Sequence, residues 1–429
     1  MVAVIFRNEN DQQARLSTLH TKRLYSTRRS VHWKNRTSFK KQNAKIIPFN
    51  KKSHMKIAVF HNFLDNIGGA EKVGLILARR LQADVYTTNI DKEKITKMGF
   101  GDVLPRIYSI GHIPQNAPFR QQLALWKFRK LNLKSRYEFY IIDGDWAMSG
   151  AINNKPNLWY VHSPIREIWD LYKYTRKNTV PWALRPIFDI WVFYNRCLNK
   201  KYIKKVNILV CNSKNTKSRI KKFLGKDAVV VNPPIETSKF KFEKYGDYWL
   251  SVNRLISHKR IELQLKAFSE LKDKKLIIVG SYEQSRHFKK YAEHCKKIKP
   301  ENVEIKSWVN QKELTTLYAN CRGFITTSKD EDFGMNVVEA MASGKPVIAP
   351  NEGGFKETIM HGKTGILIDD INENKLAEAV KELDKKINEN PGTFKRACQK
   401  QAKKFDVEMF IEKIKNIISQ YFSQKCPKK

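Results

Sequence analysis

Short apolar runs alternate along most of the chain with longer stretches whose apolar positions recur every three or four residues, as in strands followed by amphipathic helices. Ile57–Phe60, Tyr140–Ile142, Leu158–Val161 and Ile208–Cys211 predict a first set of strands. After Asn232 the pattern breaks at Pro233-Pro234 and a polar, basic stretch that runs to Asp247. A second set follows: Tyr248–Val252, Lys275–Val279, Val303–Ile305, Gly323–Thr326 and Pro346–Ile348. Continuously apolar strands spaced by helices imply parallel sheets covered on both faces. The expected architecture is α/β, with two doubly wound domains (55–232 and 248–404), a linker (233–247) and a ligand cleft between the carboxyl ends of the strands. A last helix, over 405–424, carries Phe410, Ile411, Ile414 and Ile417 or Ile418 on one face and must pack on something. Either domain could receive it, including the first.

Composition changes this picture at the N-terminus. Residues 1–54 hold 13 Lys or Arg against Glu9 and Asp11 and show no sustained apolar period, so they are expected to lie outside the fold. Three readings stand for them: a segment upstream of a true start at Met55, a polybasic arm, or an Arg- and Ser-rich transit peptide. The chain carries a net charge of +39; taking away the eleven net charges of that stretch leaves +28 on the rest. An anionic partner or substrate is therefore expected. The six cysteines are widely spaced, with no C-x-x-C pair, which argues against a zinc knuckle and a disulfide scaffold and for a reducing, cytoplasmic setting. No window of membrane-spanning length is free of charge.

The most informative stretch is Glu331-Asp-Phe-Gly-Met-Asn-Val-Val-Glu339-Ala-Met-Ala-Ser-Gly344-Lys-Pro346. Following a strand, it reads as a loop, a helix from about Gly334, a left-handed stop at Gly344 and a new strand. Glu331 then lies on the loop at the strand's carboxyl end and Glu339 in the helix, where they can address neighbouring parts of one long ligand. The free N–H groups at Gly334 and Met335 favour phosphate. Arg254 offers a planar fork and Lys259 a compact charge five residues on, both after a strand, which suits a leaving diphosphate. Read alone, these two are ordinary surface cations, Glu339 a solvated helix residue, and Gly68-Gly69 a plain turn before a helix. His162, at a strand end before Pro164, would alone be structural.

Together these residues resemble the retaining glycosyltransferases of family 4, whose GT-B fold is two facing Rossmann-like domains. Glu331 and Glu339 match the family's pair of glutamates flanking seven residues, followed by Gly344-Lys-Pro346 and Gly353-Gly354-Phe-Lys-Glu357. Val252-Asn-Arg254-Leu-Ile-Ser-His-Lys259 is similar to the segment that clamps the donor diphosphate, and Lys275 to Gly280 to the strand and glycine after it. Gly68-Gly69-Ala-Glu-Lys72 looks like the glycine-rich loop, and Tyr160-Val-His162-Ser-Pro-Ile-Arg166 is similar to a segment of bacterial O-antigen mannosyltransferases. The resemblance implies that Glu339 holds the donor ribose and that Arg254 and Lys259 hold the diphosphate. It implies that Glu331, with Phe333, Gly334, Met335 and Asn336, holds the sugar, with Gly280 and Val338 also on the donor side. His162 is then expected to touch the transferred sugar, with Gly68, Gly69 and Arg166 on the acceptor side. No cofactor and no metal is expected; Asp143-Gly144-Asp145, though similar to a D-x-D metal motif, sits in the first domain and is read as a strand-end loop.

The implied activity is transfer of a hexose, mannose first among them, from a nucleotide-diphosphate sugar to a lipid-linked or surface-polysaccharide acceptor. Two alternatives remain. A nucleic-acid-binding protein would explain the charge, but no helix-turn-helix, aromatic sheet platform or zinc pattern accompanies it, so no nucleic-acid partner is expected. Another GT-B enzyme, such as a sugar-nucleotide epimerase or a phosphorylase, would share the fold. Leu171 to Lys205 combines nine Lys or Arg with one acid and eight aromatics, and Ile187, Ile190, Trp191, Tyr194 and Leu198 follow a helical period within it. That stripe is either core rimmed by lysines or a basic aromatic face for an anionic bilayer, on the inner side of a membrane. Trp126 among Lys127, Arg129 and Lys130 adds to the second reading.

Overall fold

The structure, a computed structural model, describes residues 55–425 apart from 67, 116, 118, 281–285 and 308. The expectations for residues 1–54 lie outside the described residues. Seven strands form one parallel sheet: β1 (Ile57–Phe60), β2 (Asp84–Thr87), β3 (Ile107–Ser109), β4 (Phe139–Ile142), β5 (Asn157–Val161), β6 (Ile208–Cys211) and β7 (Val229–Val230). Their spatial order is β3-β2-β1-β4-β5-β6-β7. A second parallel sheet holds β8 (Tyr248–Val252), β9 (Lys275–Val279), β10 (Val303–Lys306), β11 (Phe324–Ile325), β12 (Val347–Pro350) and β13 (Gly365–Ile368), ordered β10-β9-β8-β11-β12-β13. Both orders turn back at the first strand of their set, β1 and β8, which opens a crevice at the carboxyl ends.

The expected apolar runs all form strands, with ends shifted by a residue or two. The strand predicted over Gly323–Thr326 is regular only over Phe324–Ile325, although its ends still bond to the neighbouring strands, Leu250 N–H donating to the Gly323 carbonyl and Thr326 N–H to the Ile348 carbonyl, each at 3.0 Å. The unforeseen strands, β2, β3, β7 and β13, are short or edge elements. In β2, Asp84 and Tyr86 are only partly buried while Val85 and Thr87 are buried, so no continuous apolar run marks it.

Each sheet is covered on both faces. Val59, Ile141 and Tyr160 face one layer of the first sheet, and Phe60, Tyr140 and Trp159 the other. The helix Val407–Lys425 returns to the first of these layers, where Phe410, Ile411, Ile414 and Ile418 are buried beside Val59 and Val73. Phe410 meets the Tyr160 ring edge-on at 5.6 Å. The chain thus crosses between the sheets twice, and the crossings touch. Ile235 N–H donates to the Phe405 carbonyl and Val407 N–H to the Ile235 carbonyl, each at 3.0 Å. Two adjacent single segments, bridged at Ile235 and Asp406, thus join two well-packed lobes.

Candidate active site between the two lobes

Loops at the carboxyl ends of both sheets meet across the crevice. In the first lobe, β1 ends into His61, β4 into Asp143 and β5 into His162. The Asp143 carboxylate is fully buried and bridges two imidazoles, with His61 Nδ1 at 2.8 Å and His162 Nε2 at 2.9 Å. Burial pushes the Asp143 carboxyl up, but the two histidines, His162 foremost, hold it below the usual carboxylate range. Burial disfavours a charge on His162, yet Asp143, and behind it Asp145 and Glu71, raise its pKa overall. Asp145 is different: burial pushes it up to about 7, and its Oδ1 has no hydrogen-bond partner among the described residues. The two acids of the D-x-D-like run therefore have unlike tasks. Asp143 orients histidines with both oxygens, and Asp145 sits in a pocket that disfavours its charge.

The second lobe supplies the opposite wall. Gly334 adopts φ +86°, a left-handed conformation suited to glycine, and starts the helix Met335–Ala342. The loop before it is clamped from below. Gly354 N–H donates to the Glu331 carbonyl at 2.8 Å, and a Cβ at Gly354 would lie 2.5 Å from the Asp332 carbonyl oxygen, so no larger residue fits there without moving the loop. Glu331 pairs with Lys259. Burial raises the Glu331 pKa, but the Lys259 ammonium against it wins and holds the carboxyl well below its ordinary range. His258 next door is driven far down, by burial first and by Lys259, with Arg254 and Arg166 adding to the effect. Arg254 is exposed at the end of β8, so these cations and Glu331 form one charged cluster at the rim.

Glu339, by contrast, is buried. Its Oε2 accepts from the Tyr318 hydroxyl at 3.1 Å, and its Oε1 from Lys72 of the first lobe at 3.2 Å. The Lys72–Glu339 pair crosses the crevice. Beside it, a Cβ on Gly69 would lie 3.1 Å from the Met335 sulfur, so the glycine loop abuts the start of the opposite helix. The cavity between Lys72, Ile76, Met335 and Glu339 measures about 10 Å³, room for about one water molecule. The lobes are closed on each other here.

Other expected residues sit near the site without offering their side chains to it. Phe333 and Val338 are buried in the second lobe's core, Phe333 edge-on to Phe405 at 5.3 Å, so only their backbones can meet a ligand. Asn336 donates to the Val252 carbonyl at 2.7 Å and ties its helix to β8. Gly280 lies where β9 ends, so close to the Asn253 carbonyl that a Cβ would collide with it. Arg166 is engaged by Asp170 at 2.9 Å and reaches the Asp330 carbonyl of the other lobe at 3.3 Å.

The sequence reading missed Arg219. From the helix Lys214–Leu224 its guanidinium reaches the Ser163 hydroxyl at 3.2 Å, the Asp330 carbonyl at 2.7 Å and carboxylate at 2.8 Å, and the Asp332 carboxylate. It thus joins the loop after His162 to the loop around Glu331. At the start of the same helix, Glu357 of the second lobe accepts the Lys214 and Asn215 N–H groups at 2.8 and 3.0 Å. His61 was also missed; its one signal is its place directly after a buried strand.

Two facing Rossmann-like lobes with this crevice define a GT-B protein. Residues 234–405 match the family model described as glycosyl transferases group 1. Alpha-1,3/1,6-mannosyltransferase ALG2 of Candida glabrata is 27% identical over 435 residues, an alignment covering 84% of this chain and 90% of that protein. An uncharacterized glycosyltransferase of Methanocaldococcus jannaschii is 25% identical over 215 residues, 49% of this chain and 58% of its own length. The crystal structure of Anabaena Alr3699/HepE in complex with UDP and glucose superposes with a TM-score of 0.67 at 18% identity, over 85% of this chain and 100% of that one. The family model over the second lobe, the mannosyltransferase relative and the shared fold together support a glycosyltransferase of GT-B architecture and family-4 type.

Proposed function

We propose that the protein is a retaining, metal-independent hexosyltransferase that moves mannose from a nucleotide-diphosphate sugar to a lipid-linked or surface-polysaccharide acceptor. The observation that carries this reading is the rim cluster of Arg254, Lys259 and Glu331 in the second lobe, opposite a histidine that a buried carboxylate holds in place. The mannosyltransferase named among the relatives supports the sugar, and the UDP and glucose bound by the structural neighbour support the donor class.

In this reading the donor's ribose hydroxyls bind Glu339, its diphosphate lies between Arg254 and Lys259 near the Gly334 and Met335 amides, and its sugar rests on Glu331. Charge builds on the diphosphate as the glycosidic bond breaks, and two cations stabilise it where it appears. The acceptor attacks from the face the diphosphate leaves, and a phosphate oxygen takes the acceptor's proton. His162 contacts the sugar from the first lobe; with Nε2 committed to Asp143, Nδ1 is its other ring nitrogen. Both Asp143 oxygens are taken by imidazoles, which supports reading the D-x-D-like run as a strand-end loop that orients histidines.

The test combines a donor screen with two variants. One nucleoside diphosphate should raise the thermal midpoint above the others, since stabilisation grows with ligand concentration over Kd. Arg254→Ala and Glu331→Ala should lower transfer about 100-fold or more with the fold intact, and activity should persist in excess chelator. Near-normal transfer by both variants would remove the role assignments; strict dependence on manganese would remove the metal-independent mechanism.

A further inference from the structure

The helix Arg185–Ile203 buries Phe188, Val192, Asn195, Asn199 and Tyr202 against the first lobe. Its other side should be polar if it faced only water. Instead it presents Ile187, Ile190 and Phe193, respectively 60%, 70% and 69% exposed, with Tyr194 beside them. Just before the helix, Trp182 is 80% exposed. Of the predicted stripe, only Trp191 and Leu198 pack partly onto the core. The core reading of this stripe therefore fails for its exposed members, because the buried side of the helix is a different one, offset by about a quarter turn.

The helix Arg120–Lys130 continues the surface. Its Gln122 accepts from Trp191 Nε1 at 3.1 Å and donates to Asn195 at 2.7 Å, and one turn further along stands Trp126, half exposed. The charge around these apolar groups has one sign. Lys200, Lys201, Lys204 and Lys205 are exposed at one end of the helix, and Lys173 and Lys177 precede the other. The only acid from Leu171 to Lys205, Asp189, is held by Arg176 at 2.9 Å. A second copy of this chain would bring +39 against +39 and the same lysines against each other. An anionic surface with an apolar layer under it suits both features.

We infer that this face of the first lobe docks on an anionic lipid bilayer, with Trp182, Ile187, Ile190 and Phe193 entering the interface and the lysines meeting lipid phosphates. The adjoining helix Tyr172–Asn178 reaches the crevice, where Tyr174 shares a hydrogen bond with Ser257 of the second lobe at 2.5 Å. Docking would thus bring the crevice close to the bilayer. The inference extends the lipid-linked acceptor proposed above, but its measurement needs no transfer.

Flotation of the full chain with phosphatidylcholine vesicles, with and without phosphatidylglycerol, tests it. The wild type should bind the anionic vesicles and lose binding as salt rises. The Ile190→Glu/Phe193→Glu variant should bind them at least about tenfold more weakly, since two apolar side chains no longer enter the interface. Replacing Lys200, Lys201, Lys204 and Lys205 together by Gln should weaken the preference for anionic lipid and lessen its dependence on salt. Both variants should keep the wild-type thermal midpoint and nucleoside-diphosphate binding, so a failure of docking is read separately from a failure of the proposed reaction. Equal vesicle binding by all three proteins would overturn the inference. So would a wild-type dimer that the Glu variant dissociates while neither protein binds vesicles.

Discussion

Glu331 stands at a point where two forces oppose. Its surroundings disfavour a charged carboxylate, and Lys259 more than restores it. A carboxyl with a depressed folded-state pKa contributes stability above its unfolded pKa of about 4.3, and that stability is lost as pH falls through the folded value. Glu331→Gln should therefore be less stable than wild type near neutral pH, by about 1–3 kcal/mol, with the gap closing below about pH 4. Denaturant titrations of both proteins across that range check the sign; a gap that widens in acid would mean that Glu331 is protonated in the folded protein. The opposite sign holds for His162, whose charged form the Asp143 carboxylate favours. Asp143→Asn should lower the His162 pKa, and imidazole titration by NMR reads this directly. At this scale the sequence reveals the groups that belong to a compact motif, Glu331, Glu339, Arg254 and Lys259. It does not reveal that Asp143 is shared by two histidines, because His61 and Asp143 are 82 residues apart and meet only when β1 pairs with β4.

At the scale of elements, the helix Lys214–Leu224 shows why an isolated pattern misleads. Among Lys214, Lys217, Lys221 and Lys222, Arg219 looks like one more solvated cation. Four residues after Asn215, it points along the same side of the helix, and that side docks on the loop 330–332 of the other lobe. Only lobe–lobe packing makes it a buried ionic junction. Arg219→Met should cost about 1.5–3 kcal/mol of stability by leaving Asp330 and Asp332 short of a charged donor. If it positions the two loops, turnover should fall further than KM rises, and Arg219→Lys should restore part of the stability but less of the turnover, since an ammonium cannot fork to Ser163, Asp330 and Asp332 together. Steady-state kinetics beside urea unfolding separates the two effects. The helix Val407–Lys425 is the converse case, because its apolar period was plain in the sequence while its destination was not. Periodicity shows that a helix has a face to bury; which lobe receives it depends on the bridge between Ile235 and Asp406, a contact between distant segments.

For the whole molecule, the decisive feature is how closely the two lobes meet beside Glu339. Lys72 occupies one oxygen of Glu339, and the gap beside them holds about one water. A donor whose ribose binds Glu339 must enter a more open arrangement, so its apparent affinity is reduced by the fraction of molecules that are open. Lys72–Glu339 is one of the contacts that hold the closed form, together with the Arg219 junction and the Glu357 cap. A partly exposed ion pair contributes roughly 0.2–1 kcal/mol. Lys72→Met should accordingly shift the balance toward the open form and tighten nucleoside-diphosphate binding by up to about fivefold, as read by calorimetry at fixed salt. The same variant tests the other role open to this lysine. If binding weakens instead, Lys72 is itself a ligand of the donor, and the pair seen across the crevice is its resting position. Raising the salt should narrow the difference between variant and wild type if the cross-lobe pair is the cause, because screening weakens that contact in the wild type alone.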